Sequence, residues 1–279
     1  PTPTRDERRA TVNALAARRR HPAAIAVLLP IGLFLMGAAY SAVAPRPAEA
    51  GVVSQDDVSE GKQLFQANCA SCHGLNAEGR QTGSGDAIAG PTLAGVGAAA
   101  VDFQMSTGRM PMRAPTAQAP RSDTIKFSEE DIAKISAYVA SLAPGPAIPS
   151  EEMVDPTKGD PAKGGELFRV NCAMCHNSSG AGGALTRGKY APSLMDVAPK
   201  DIYMAMETGP QSMPVFNDTN LDSTAKRDII AFLKSVEEGG NPGGLSLGRL
   251  GPVTEGMFAW IFGLGLLVGI AVWLGKKAA

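Results

Sequence analysis

Apolar residues along this 279-residue chain follow two patterns: unbroken runs near both ends, and helically spaced stripes between them. Residues 23–44 contain no charge, and 22 residues at helical rise suffice to cross a hydrocarbon core of about 30 Å. A second uncharged run, residues 257–274, is 18 residues long and carries both tryptophans of the chain, Trp260 and Trp273, one towards each end. Indole rings favour the headgroup level of a bilayer, so the second run, like the first by its length, predicts a transmembrane helix. Between them, Ser128-Glu129-Glu130-Asp131 reads as a helix cap with an acidic first turn, followed by Ile132, Ile135, Tyr138, Val139 and Leu142 on one face. Asp222 or Ser223 opens a similar helix with the stripe Ile229, Ile230, Phe232, Leu233 and Val236.

Charge orients the runs. Arg5, Arg8, Arg9, Arg18, Arg19 and Arg20 precede the first, and Lys276 and Lys277 follow the second. Basic flanks stay on the cytoplasmic side. The tails 1–22 and 275–279 are therefore expected in the cytoplasm of a multi-pass cell-membrane protein, with residues 45–255 on the extracytoplasmic, periplasmic face. Small residues at Pro47-Ala48-Glu49-Ala50 leave a second reading of the first run as a cleaved leader, although its apolar core is long for one. Gly265 and Gly269 form a small-xxx-small pair that either admits a partner helix or reflects the glycine content of membrane helices. A net charge of −1, with mildly acidic central regions, excludes the basic field that holds nucleic acid.

The central region is a repeat. Gly61-Lys-Gln-Leu-Phe-Gln-Ala-Asn-Cys-Ala-Ser-Cys-His73 and Gly164-Gly-Glu-Leu-Phe-Arg-Val-Asn-Cys-Ala-Met-Cys-His176 share eight of thirteen residues at an offset of 103. Gly90-Pro91-Thr-Leu93 answers Ala191-Pro192-Ser-Leu194, and Met110-Pro111 answers Met213-Pro214, each methionine 37 residues after its histidine. The helical stripes close the two copies. Two tandem domains are expected, 54–143 and 162–238, with a proline-rich linker at 144–161 and a second linker at 239–256. Domains of this size commonly need a cofactor for stability. A Pro/Ala-rich insertion, Arg113 to Arg121, belongs to the first copy alone and reads as a surface loop, with a docking element as the alternative.

All four cysteines fall in the pairs Cys69/Cys72 and Cys172/Cys175, and two of the three histidines follow them directly. Cys-x-x-Cys-His is the attachment signature of c-type haem: the thiols bond to the vinyl groups and the histidine ligates iron. Two covalently bound haem c groups are expected, with His73 and His176 as axial ligands. A tetrahedral zinc site needs four ligands, and each copy supplies three of Cys/His type. A thioredoxin-like dithiol explains neither repeated histidine, and no βαβ pattern surrounds it. His21 lies across the membrane, so the sixth ligand falls to methionine: Met213 in the second copy, and Met110, with Met112 as its rival, in the first. With both axial positions filled by side chains, electron transfer is expected rather than peroxide or dioxygen chemistry. No catalytic residue is expected on the chain itself, and a dihaem peroxidase is the enzymatic alternative.

These motifs resemble class I cytochrome c domains over about residues 54–143 and 160–236. The resemblance implies that the carbonyls of Pro91 and Pro192 accept the free N–H of the axial histidines, and that first and last helices cross at Gly61 with Tyr138 and Gly164 with Phe232. The whole plan is mainly α, with two such domains between two transmembrane helices. It resembles the dihaem cytochrome cc subunit of the actinobacterial-type cytochrome bc1 complex, a menaquinol–cytochrome c reductase. That family implies a Rieske iron–sulfur subunit, a cytochrome b subunit and a haem–copper oxidase as partners in a proton-translocating respiratory supercomplex. The haem on Cys69, Cys72 and His73 would face the Rieske donor, and that on Cys172, Cys175 and His176 the oxidase. A free-standing membrane dihaem carrier is the alternative.

Overall fold

The computed structural model describes residues 22–43, 54–81, 88–114, 116–239, 247 and 252–278. The expected basic tail, the Pro47–Ala50 segment and most of the 239–256 linker lie outside the described residues. The fold is mainly α.

Helix α1, Pro22–Val43, belongs to a unit separate from residues 48–279. It contains Pro30, and the apolar side chains along Ile25–Tyr40 are exposed. Among the described residues one helix is long and apolar enough to cross a membrane: Val253–Lys277, 25 residues, with a π-helical stretch at Ala259–Leu264. None of its apolar surface is covered by the rest of the protein. Leu, Ile and Trp side chains left exposed on such a scale require an apolar surround.

The two central copies fold alike. The first contains α2 (Gln55–Asn68), α3 (Ala70–His73), a short antiparallel pair β1 (Arg80–Gln81) and β2 (Ile88–Gly90), α4 (Gly97–Ser106) and α5 (Glu129–Leu142). A four-residue helix, α6 (Glu151–Val154), lies in the connection. The second copy contains α7 (Pro161–Asn171), α8 (Ala173–His176), the antiparallel pair β3 (Gly183–Ala184) and β4 (Tyr190–Ala191), α9 (Pro199–Thr208) and α10 (Ser223–Glu238). Local chemistry explains the starts. Ser54 caps α2 in a reciprocal box with Asp57, Ser128 Oγ accepts from Asp131 N–H at 3.1 Å, and Asp222 accepts from Ala225 N–H at 2.7 Å. Asp222, rather than Ser223, is thus the cap of α10.

In each copy the first and last helices cross where glycine removes the side chain. A Cβ on Gly61 would collide with the Lys134 carbonyl, and one on Gly164 with the Asp228 carbonyl. Flanking the crossings, Phe65 and Tyr138 lie 5.3 Å apart between ring centroids, as do Phe168 and Phe232. Ion pairs brace both: Lys134 Nζ with Glu60 at 2.8 Å and Glu130 at 2.6 Å, and Lys163 Nζ with Asp228 at 3.6 Å. Around them Phe65, Ile132, Ile135 and Val139 are buried in one core, and Phe168, Ile202, Ile229, Ile230 and Leu233 in the other. The stripes read from the sequence are these cores.

The copies also pack on each other. Helices α4 and α9 meet through Ala99, Phe103 and Met204, with Ile148 against them, and Lys200 Nζ pairs with the buried Asp102 at 2.9 Å. The proline-rich connection folds back along α4 instead of spanning open space: Ala99 N–H donates to the Pro146 carbonyl at 3.1 Å, and Gly97, at φ +77°, lies tight against Gly145 and Pro146. The Arg113–Arg121 insertion is not a free surface loop. Gln118 Nε2 donates to the Tyr190 carbonyl at 2.7 Å and its Oε1 accepts from Tyr190 N–H at 3.0 Å, while Gln211 makes the same pair of bonds with Ala119, at 2.9 and 3.0 Å. The insertion is largely exposed, as a surface loop is, and is tied to the second copy at Gln118 and Ala119.

Because the α7/α10 crossing has no room for a methyl group, Gly164→Ala is expected to cost about 1–3 kcal/mol, as overpacking does. Urea unfolding followed by circular dichroism measures it, and an unchanged midpoint would contradict the tight crossing.

Candidate functional site

Helix α2 ends at Cys69, whose N–H donates to the Phe65 carbonyl at 2.7 Å; Cys72 and His73 N–H groups then return to the Cys69 carbonyl at 3.1 and 3.0 Å. The second copy repeats the turn, with Cys172 on Phe168 at 2.8 Å and Cys175 and His176 on Cys172 at 3.1 and 2.9 Å. None of the four cysteines is in a disulfide. Burial, with the neighbouring cysteine adding to it, pushes Cys69 and Cys172 up to about 11. Among the described residues no group of three or more His, Cys, Asp and Glu side chains is placed to hold a metal ion.

The histidines are held by a second repeated device. His73 Nδ1 lies 2.8 Å from the Pro91 carbonyl and His176 Nδ1 3.0 Å from that of Pro192. A carbonyl only accepts, so Nδ1 carries the proton in each ring and Nε2 keeps its lone pair for a metal. Burial lowers the pKa of His176, outweighing the opposing bond to Pro192, and so favours the neutral ring. The proline segments are pinned in turn: Leu93 N–H donates to the Ala77 carbonyl at 2.9 Å and Leu194 N–H to Gly180 at 2.7 Å. Gly79 and Gly182, at φ +86° and +82°, donate to the carbonyls of His73 and His176 at 2.7 and 3.0 Å. A Cβ would stand 2.6 Å from Thr92 N at Gly79 and 2.5 Å from the Ala191 carbonyl oxygen at Gly182. These glycines escaped the sequence reading, although they stand at the same 103-residue offset as the motifs.

Met110 packs against the first core, as do Cys69 and Leu93, and Met213 against the second, as do Cys172 and Leu194. The loop carrying Met213 leaves α9 through Gly209 in the left-handed region, φ +57°, and returns with Phe216 N–H on the Met206 carbonyl at 2.8 Å. Its far end is tied to Lys226, a fully buried lysine of α10 that pairs with Glu207 of α9 and, at 2.8 Å, with Asp218. The Lys226 ammonium also lies 5.4 Å from the Tyr203 ring centroid. Lys226 carried no signal in the sequence.

Cys172, Cys175, His176 and Met213 open onto one cleft, walled by apolar residues such as Leu185, Leu194, Val197, Ile202 and Phe216. The first copy completes that wall with Phe103, Arg109, Gln118 and Arg121. Two thiols, a free imidazole nitrogen, a thioether and a flat apolar surround are the donors that a covalently attached porphyrin requires, so the residues present fit haem c.

Two copies of the Cys-x-x-Cys-His turn and its histidine–proline bond in series define a tandem c-type cytochrome. A family model described as "Cytochrome c" matches residues 58–143, and one described as "Cytochrome C oxidase, cbb3-type, subunit III" matches residues 159–233. The cofactors are accordingly two covalently bound haem c groups. Over 278 residues the chain is 43% identical to the "Cytochrome bc1 complex cytochrome c subunit" of Corynebacterium efficiens, covering 93% of this chain and 90% of that protein. With the protein of the same name from Mycobacterium bovis it shares 45% identity over 259 residues, 90% of each chain. The chain belongs to the family of cytochrome c subunits of the cytochrome bc1 complex, an electron-transfer component of a membrane-associated oxidoreductase.

Replacing Lys226 by Gln leaves Glu207 facing a partly buried site without its cation, and is expected to cost about 3 kcal/mol. The Asp218 partner, 72% exposed, adds little to this. Urea unfolding of the haem-loaded chain checks the figure; a loss under about 1 kcal/mol would remove Lys226 as the tether of the loop.

Proposed function

We propose that this chain carries electrons from a Rieske iron–sulfur protein to a haem–copper oxidase inside a quinol-oxidising respiratory supercomplex that also contains cytochrome b. The observation that carries this reading is the duplicated histidine–proline geometry, with a methionine at the same 37-residue spacing packed against the same core as the first motif cysteine. Haem c supplies reversible one-electron chemistry at iron. The residues of the chain do the rest. Cys69, Cys72, Cys172 and Cys175 would form the thioethers; His73 and His176 would offer Nε2 to the iron, held in that tautomer by Pro91 and Pro192, and Met110 and Met213 would supply the second side-chain ligand of each. With haem bound, the apolar walls would keep water from the iron, and two side-chain ligands would leave no site for peroxide.

In this reading the first cytochrome domain, 54–143, faces the Rieske donor and the second, 162–238, faces the oxidase. Both outer helices span the membrane, at 23–44 and 257–274, with tails 1–22 and 275–279 in the cytoplasm and the linkers 144–161 and 239–256 outside. The basic residues flanking the two runs support this orientation. The names of the relatives support assembly with a cytochrome bc1 complex.

Gentle solubilisation of the membrane and purification through a tag on this chain is expected to recover Rieske and cytochrome b subunits with it; recovery as a lone monomer would overturn assembly into the complex. Met213→His is expected to lower the potential of the second haem while leaving it covalently attached, since methionine ligation raises the potential. A redox titration that finds the potential unchanged would remove Met213 as a ligand.

A further inference from the structure

The second cleft is not closed by its own domain. Thr107, Arg109, Gln118, Ala119 and Arg121, all from the first domain, line it, and the four hydrogen bonds of Gln118 and Gln211 across the boundary fix that strap in place. The charge it brings is unbalanced. Among the charged residues lining the cleft are two arginines, Arg109 and Arg121, against one carboxylate, Asp201. Arg109 is half-buried, its guanidinium stacked 4.8 Å from the Phe103 ring centroid, and its Nη1 is buried with no hydrogen-bond partner among the described residues. Guanidinium does not lose its proton, so a buried, unpaired N–H of this kind needs an acceptor, and an anionic one is favoured most.

Haem c carries two carboxylate-ended side chains. We propose that Arg109, assisted by the exposed Arg121, receives the carboxylates of the haem attached at Cys172 and Cys175, so that the first domain supplies the anion site of the second domain's cofactor. This rests on the haem reading above. Adjacent residues then serve different haems. Met110 packs against the core of the first domain, while Arg109 lines the cleft of the second. A cation beside the haem disfavours loss of an electron from it, so Arg109 raises the potential of the second haem and acts as a positioning and tuning residue.

The test is a spectroelectrochemical titration of the intact complex carrying Arg109→Gln, Arg109→Lys, Arg121→Gln or Ile148→Ala. Arg109→Gln is expected to shift the oxidised-to-reduced ratio of the second haem at fixed poise on the order of tenfold towards oxidised, which is 59 mV for a one-electron couple. The first haem should stay put, Arg109→Lys should restore most of the shift, and Arg121→Gln should give a smaller one. Ile148→Ala loosens the domain boundary without changing charge and should move neither potential. An unchanged second potential in Arg109→Gln at full haem content overturns the proposal, as does an equal shift produced by Ile148→Ala. If Arg109→Gln loses the second haem, the comparison of Arg109→Lys with Arg121→Gln decides, and equality of both with the wild type overturns it. Absence of visible absorption in the wild-type chain would instead sink the haem reading itself.

Discussion

In each half of the protein, one hydrogen bond from a histidine Nδ1 to a proline carbonyl determines what the site can do, because it decides which imidazole nitrogen faces a metal. That bond constrains everything around it. The proline must be brought to the histidine, which requires the chain to turn back through Gly79 or Gly182 in the left-handed region and to lock Leu93 or Leu194 onto the turn. The histidine must be brought to the proline, which requires the first helix to end at the leading cysteine and to sit tightly on the last helix. Only glycine at Gly61 and Gly164 permits so close a crossing. Helix crossing, reverse turn and histidine orientation are thus one mechanical unit, used twice.

Duplication does not make the halves independent. Their equivalent helices, α4 and α9, are packed face to face, the connection between them lies along α4, and the insertion after the first methionine loop is stitched to the second. Electron carriers gain from such an arrangement, since two cofactors held in one body keep a constant separation. It also lets one domain set the electrostatics of its neighbour, through charges such as Arg109 that reach across the boundary.

Much of this was legible in the sequence, for identifiable reasons. The Cys-x-x-Cys-His segments, the helical stripes and the Met-Pro pairs are local patterns, and their recurrence at one offset multiplies the signal of each. Glycine at the helix crossing was legible only through family resemblance, because a missing side chain has no periodicity of its own. The contacts between halves were not legible. Gln118 and its partner Tyr190 are 72 residues apart in the chain, Ala119 and its partner Gln211 are 92, and nothing in an Ala/Pro-rich loop distinguishes a docked strap from a solvated one. Nothing in the sequence marked Lys226 or Arg109, because burial of a cation is a property of what packs around it. The apolar ends were legible by composition. Within the described residues the C-terminal one is long enough to span, and the first forms a helix, Pro22–Val43.

The intact mass of the polypeptide, measured under denaturing conditions after release from its membrane complex, tests the central claim most directly. Thioether bonds survive denaturation, so the chain is expected to weigh more than its amino acids by two haem groups, with the added mass on the peptides containing Cys69/Cys72 and Cys172/Cys175. A polypeptide with the mass of its amino acids alone, or with a single haem, would contradict two equivalent covalent sites.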